Sequence, residues 1–123
     1  SSIFELHMHK SLWPSVREVK RIKLESITLD TFFDKSEINI NLYDPLVMDT
    51  QGSELLVLKG AEKLLKNFKY IKTEVADHES YKDCCQFKDI DNFLTKKGFK
   101  LTLKSCFKRD KSGNCYDVLY EKL

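Results

Sequence analysis

The chain is poor in the features that mark most specialised classes. Its apolar runs fall well short of the ~18–20 residues a membrane-crossing helix needs, so an integral membrane protein is excluded and no membrane partner is expected. The first residues lack the basic, then apolar, then small-residue pattern of a secretory leader. An excess of one charge is missing too: 21 basic and 19 acidic residues are mixed along 123 positions and leave a net charge of +2. That balance gives no electrostatic footprint for nucleic acid. No internal repeat and no low-complexity segment is present.

The cysteines are few and badly spaced for metal. Cys84, Cys85, Cys106 and Cys115 contain no CxxC, and the adjacent pair suits neither a zinc site nor a mutual bridge. Two readings stay open: a Cys106–Cys115 bridge across a hairpin, or four free thiols. The usual redox-compartment argument favours free thiols in a reducing, cytoplasmic setting. What remains, 41% hydrophobic and 33% charged residues, describes an ordinary globular chain long enough for one domain with one core over residues 1–123. It begins Ser1-Ser2-Ile3 without an initiator Met, which suggests a processed product, an excised domain or an incomplete reading frame.

Residues 1–19 carry weak signals, and Pro14, His7, His9 and Trp13 suggest a loop lying over the body of the domain. His7 and His9 would share one face of a strand, but without a third ligand they read as surface residues. VKRIKLESITL (19–29) alternates well enough to predict a strand with Ile22, Leu24, Ile27 and Leu29 buried. Asp30 and Thr31 then cap a helical turn bearing Phe32 and Phe33, and 34–45 is a polar connection.

Residues 46–49 form a short apolar strand of the kind found inside parallel sheets covered on both faces. Val57, Ala61, Leu64, Leu65 and Phe68 fall on one helical face after Gly52. YIKTEVA (70–76) reads as a strand, and Phe87, Ile90 and Leu94 mark a second amphipathic helix ended by Gly98. FKLTLKSCF alternates as a half-exposed strand, KRDKSGN turns, and CYDVLYEKL returns as the second arm of a hairpin. Strands alternating with helices predict an α/β fold: a mostly parallel sheet with helices packed on it and a C-terminal antiparallel hairpin at one side.

The stretch LVMDTQGSELLVLKGA (46–61) is the most informative. An apolar strand stops at Asp49, turns through Thr50-Gln51-Gly52 and reopens at Ser53-Glu54. In an open parallel sheet ligands sit beyond the carboxyl ends of the strands, which is where Asp49, Gln51, Gly52 and Glu54 lie. Glu74, Asp77 and His78 follow the next strand, so the two polar clusters are neighbours if their strands pair. Each residue also has a structural reading: Gly52 relieves a tight turn, Glu54 serves the helix dipole, and Asp77 caps a turn. Burying so much carboxylate without a partner is costly, which favours a site.

VMDTQGSELLVLKGAEKLL closely resembles the central motif of the FkbM-type methyltransferases, Lys-(Ile/Leu)-Asp-(Val/Thr)-(Glu/Gln)-Gly-x-Glu followed by Val-Leu-x-Gly-Ala. Asp49, Gln51, Gly52, Glu54, Leu58, Gly60 and Ala61 stand at its positions, with Val47 and Met48 replacing the usual Lys and Ile. Ser1-Ser2-Ile3, ITLD (27–30), TEV (73–75), GF (98–99) and YDVLYEK extend the resemblance over the chain.

The resemblance implies methyl transfer from S-adenosylmethionine to an oxygen of a small molecule or sugar, on a partial Rossmann-like methyltransferase fold. It also implies that the chain corresponds to the C-terminal half of that fold, with 1–45 as N-terminal loop, strand and connection and 46–123 as a βαβαββ core. The family's Gly-rich cofactor loop has no counterpart, since none of the four glycines forms a GxG. Asp49 is then the first choice for the cofactor- and acceptor-facing position, with Gln51 and Gly52 beside the cofactor. Glu74 and His78 are candidates to orient or deprotonate the acceptor, and Glu54 and Asp77 to bind substrate.

Two rival readings stand beside this one. Asp49, Glu74 and Asp77 could hold Mg²⁺ for a metal-dependent enzyme. Alternatively the chain is a non-catalytic truncated or interaction module. An open edge at strand 46–49 further predicts a homo-oligomer formed through it.

Overall fold

The computed structural model describes residues 2–123. Ser1, the first residue of the Ser1-Ser2-Ile3 resemblance, lies outside the described residues. The chain opens with one helical turn, α1 (His9–Leu12), so His7 and His9 do not share a strand face. Leu12 anchors this turn in the interior.

Residues 16–28 have no regular structure, and the strand expected over 19–29 does not form. The alternation is present in the sequence, but a strand exists only as part of a ladder, and no neighbour meets this segment. Thr28 rather than Asp30 caps α2 (Leu29–Lys35), its Oγ1 accepting the Thr31 N–H at 3.1 Å. The Asp30 carboxylate is turned elsewhere and accepts the N–H groups of Lys63 and Leu64 at 3.1 and 3.2 Å. A 3₁₀ turn at Ile40–Leu42 leads into β1 (Pro45–Met48).

The helix after Gly52 is shorter than its periodicity predicts. Helix α3 spans Glu54–Lys59 and stops at Gly60, and a 3₁₀ turn at Leu65–Asn67 follows. Asp30 supplies the reason, because its oxygens engage two amides that a continuing α-helix would use. Ala61, Leu65 and Phe68 are nevertheless buried as the pattern requires. Then come β2 (Tyr70–Ala76), α4 (Phe87–Lys96), β3 (Phe99–Asp110) and β4 (Gly113–Lys122). A reciprocal capping box between Gln86 and Asp89 starts α4, which ends just before Gly98. The hairpin turn is tighter than KRDKSGN suggests, because Asp110 already pairs with Gly113.

The four strands lie in the order β1-β2-β4-β3. Only β1 and β2 pair in parallel; β2 with β4 and β4 with β3 are antiparallel. The expected mostly parallel sheet is therefore overturned: this is a mixed α/β fold whose ladders are mostly antiparallel. β1, β2 and β3 do run the same way, as helical crossovers demand. The short hairpin, however, reverses β4 and inserts it between β2 and β3 rather than at the side. One would-be parallel ladder becomes two antiparallel ones.

The core lies between this sheet and α3 and α4. Leu58, Ile90 and Leu94 from the helices meet Ile71, Val75, Val118 and Tyr120 from the strands, and each is buried. The Tyr120 hydroxyl donates to Asp91 Oδ1 at 2.9 Å, and burial followed by that carboxylate pushes the phenol well up. The opposite face is not covered as expected for β1: Val47 is 65% exposed, and Leu103 is also in solvent. Among the described residues no helix is long and apolar enough to cross a membrane.

Candidate active site

Parallel pairing sets Met48 opposite Thr73, and continuing that register brings Asp49 beside Glu74 at the carboxyl ends of β1 and β2. Glu74 also faces Asp117 across the β2–β4 ladder. The sheet thus gathers three carboxylates on one ridge. Burial raises the Glu74 carboxyl above its usual range, and the charges of Asp49, Asp117 and Glu54 raise it further, against a smaller opposing effect of Lys72.

The turn between β1 and α3 is built from its own polar residues. Glu54, 3% exposed, folds its carboxylate back under the turn: Oε1 accepts the Thr50 N–H at 2.9 Å, and Oε2 accepts the Gly52 N–H at 3.0 Å. Gln51 sits in the left-handed region at φ 56°, and its amide bridges two elements. Nε2 donates to Asp49 Oδ1, while Oε1 accepts the Tyr81 hydroxyl at 2.9 Å. Gly52 is needed twice: its φ is +108°, and a Cβ there would lie 2.8 Å from the Cβ of Cys84. The same close approach shuts this glycine against the loop behind it.

Together these elements bound a cavity of about 400 Å³. Asp49, Gln51, Gly52, Glu54 and Glu74 are among its lining residues. His9 and Trp13 from α1 and its exit, Tyr81 from the loop after β2, and Phe107 from β3 form an aromatic wall. His9 stacks on Trp13 at 4.8 Å between ring centres and tilts against Tyr81 at 5.1 Å; burial lowers its pKa. Cys84 and Cys85 close the back, where burial pushes the Cys85 thiol up to about 12, so no reactive thiolate is offered.

Two of the residues expected at the site stand outside this cavity. The buried His78 has Nε2 2.9 Å from Ser80 Oγ, while Nδ1 is 3.5 Å from Asp77 Oδ1 and has no hydrogen-bond partner. Asp77 ties the end of β2 to β4, its Oδ1 accepting the Asn114 N–H at 2.7 Å and Oδ2 the Tyr116 hydroxyl at 3.1 Å. Burial raises the Asp77 carboxyl, but these hydrogen bonds together hold it below the ordinary range. Asp49, Glu74 and Asp77 consequently do not converge. Among the described residues no three His, Cys, Asp or Glu side chains are placed to hold a metal ion.

The aromatic wall is the part that sequence reasoning missed. Trp13 and His9 lie in a segment without periodicity, and the only available signal was their concentration in an otherwise polar loop.

The carboxylate ridge makes a direct test possible. A raised carboxyl pKa favours the folded state below the unfolded-state pKa, and that contribution disappears as pH rises through the folded value. Replacing Asp49 by Asn removes one of the charges holding Glu74 up. The variant is therefore expected to gain about 0.5 kcal/mol at neutral pH, a figure already reduced for solvent screening. It is also expected to lose the difference from wild type at acid pH. Urea unfolding between acid and neutral pH measures this; equal midpoints throughout contradict the coupling.

The family model described as Methyltransferase FkbM domain matches residues 2–101. No curated protein and no solved structure matches the chain. The match starts ahead of α1, runs into the start of β3 and contains the whole Asp49–Glu54 turn and Glu74, although the closing strand YDVLYEK falls beyond it. A match that spans most of the sequence and contains that turn places the chain in the FkbM methyltransferase family.

Proposed function

We propose that this cavity serves S-adenosylmethionine-dependent methyl transfer to an oxygen of a small molecule or sugar. The observation that carries the reading is the presence in one cavity of the carboxylates Asp49 and Glu74 and the aromatic rings of His9, Trp13, Tyr81 and Phe107. Positively charged and hydroxyl-bearing ligands are both complemented by carboxylates, and aromatic faces attract cations and stack on flat rings. A cofactor carrying a sulfonium, an ammonium group, a ribose and an adenine fits that donor set. Its size also agrees with a pocket of this volume. When bound, S-adenosylmethionine supplies the activated methyl group.

The chain's own residues do the rest. Asp49, oriented by Gln51, accepts hydrogen bonds from ligand hydroxyl or ammonium groups. Glu74, whose raised pKa makes it a better base than an ordinary carboxylate, takes the proton from the acceptor hydroxyl. Tyr81 and Trp13 hold flat groups and limit water. Glu54 shapes the turn, and His78 steadies the loop through Ser80.

The magnesium alternative loses support, because Asp77 is engaged by β4. The hairpin register sets Cys106 opposite Tyr116 and Cys115 opposite Lys108, so the cysteines are free, in keeping with a cytoplasmic location.

Calorimetric titration with S-adenosylhomocysteine tests the proposal. Saturable binding that is lost in Asp49→Ala is the expected result. A folded chain that takes up none overturns the reading for these residues.

A further inference from the structure

The loop after β2 sets a carboxylate, an imidazole and a hydroxyl in a row. Asp77 Oδ1 is 3.5 Å from His78 Nδ1, and His78 Nε2 is 2.9 Å from Ser80 Oγ. His78 is 6% and Ser80 7% exposed, so bulk water does not compete for these contacts. Gly113 leaves room for the ring, since a Cβ there would lie 2.7 Å from Nδ1.

The surroundings decide which ring nitrogen carries the proton. Nδ1 is buried, has no hydrogen-bond partner and stands beside the Asp77 carboxylate. The hydrogen bonds to that carboxylate hold it below the ordinary range, so it is an anion at neutral pH. A neutral imidazole beside an anion is lower in energy with N–H, not a lone pair, on that side. Nε2 is then the acceptor, and the Ser80 hydroxyl must donate to it. The serine oxygen keeps its lone pairs free, and Ser80 is among the residues that line the 400 Å³ cavity.

The next residue supplies a backbone donor. Leu6 and Tyr81 form an antiparallel bridge whose hydrogen bonds run from the His7 N–H to Ser80 and from the Lys82 N–H to Glu5. Tyr81 is thus the non-hydrogen-bonded position of that bridge, and its own N–H turns away from residues 5–7. Among the described residues nothing accepts it. A free N–H directly after a nucleophile is suited to a developing oxyanion.

From this arrangement we propose that Ser80 is the nucleophile of a second activity of the cavity, hydrolysis of a small carboxylic ester whose alcohol part is cationic. Ser80 Oγ bonds to the acyl carbon while its proton passes to His78 Nε2, and the carbonyl electron pair moves onto oxygen near the Tyr81 N–H. Collapse breaks the ester C–O bond, and the alcohol leaves with the proton from His78. Water repeats the two steps, releasing the acid and restoring Ser80. Asp77 is a positioning residue that holds the ring in the required tautomer. Asp49 and Glu74, with the rings of Trp13, Tyr81 and Phe107 in the same cavity, suit a cation. The inference stands whether or not the cavity also takes S-adenosylmethionine.

Incubation of the whole chain with diisopropyl fluorophosphate, followed by peptide mass mapping, tests it. Label is expected on Ser80 in the folded chain and not in urea, since only the folded loop sets His78 against the hydroxyl. Ser80→Ala is expected to remove the label, and His78→Gln to slow it by about a hundredfold or more. His78 is buried and its variant can unfold, so nitrogen-15 spectra of the wild-type histidines give a second reading, with the His78 proton expected on Nδ1. Excess acetylthiocholine is expected to slow labelling by about tenfold, and monomethyl succinate to leave it unchanged. A folded chain without label at Ser80, a label that forms equally in urea, or a His78 proton on Nε2 overturns the inference. Equal protection by the two esters overturns the cationic substrate class.

Discussion

Alanine at Glu54 is expected to lower the stability of the fold by about 3 kcal/mol, because two half-buried amides lose their acceptors at once. The carboxylate sits under the turn and receives the N–H groups of Thr50 and Gly52, and the Cys85 thiol donates to it at 3.7 Å. Glutamine keeps one carbonyl oxygen in place and is expected to cost only about 1 kcal/mol, in line with losing one charge-assisted bond. Denaturant unfolding gives both values. Amide exchange at Thr50 and Gly52 locates the damage, and alanine costing less than glutamine contradicts the assignment.

Alanine at Gly113 is expected to be at least as harmful, at about 3–4 kcal/mol. The residue adopts φ +142°, where a side chain is strained. A Cβ there would lie 2.5 Å from Asp77 Oδ1, 2.7 Å from His78 Nδ1 and 2.9 Å from His78 Cβ. His78 is buried and cannot retreat, and Asp77 is held by the Asn114 N–H. Substituting the exposed neighbour Lys111 by alanine is the control and should change stability by less than about 0.5 kcal/mol. Thermal unfolding of the two variants separates them. A Gly113→Ala protein as stable as the control means that the hairpin shifts freely against the β2 loop.

What the sequence disclosed depended on whether the determining contacts were local. The α4 signals, Phe87, Ile90, Leu94 and the terminating Gly98, lie within one turn-by-turn pattern, and the helix is found there. The Asp49–Glu54 turn was legible for the same reason: the hydrogen bonds from Glu54 to Thr50 and Gly52 that shape it join residues four or fewer positions apart.

Distant partners decided the failures. VKRIKLESITL has a strand's alternation but no ladder to join. The helix predicted through Phe68 is cut short by Asp30, more than thirty residues upstream. The sheet was expected to be mostly parallel because helices alternate with strands, and nothing in that alternation says where the closing strand inserts. At the cavity, Asp77 and His78 are only three and four residues beyond Glu74, yet the chain has already turned away toward β4. Trp13 joins the wall from the far end of the sequence.

The place of β4 bears on how the protein is made. It is synthesised after β1, β2 and β3, but it is the strand that joins β2 to β3. Until Gly113–Lys122 has left the ribosome, β2 keeps one open flank and the long β3 has no partner at all. The nascent chain must therefore hold its helices and half a sheet in waiting, with apolar residues of β3 accessible to chaperones or to neighbouring chains on the same message. A chain that stops before Gly113 therefore carries two unjoined parts of a sheet.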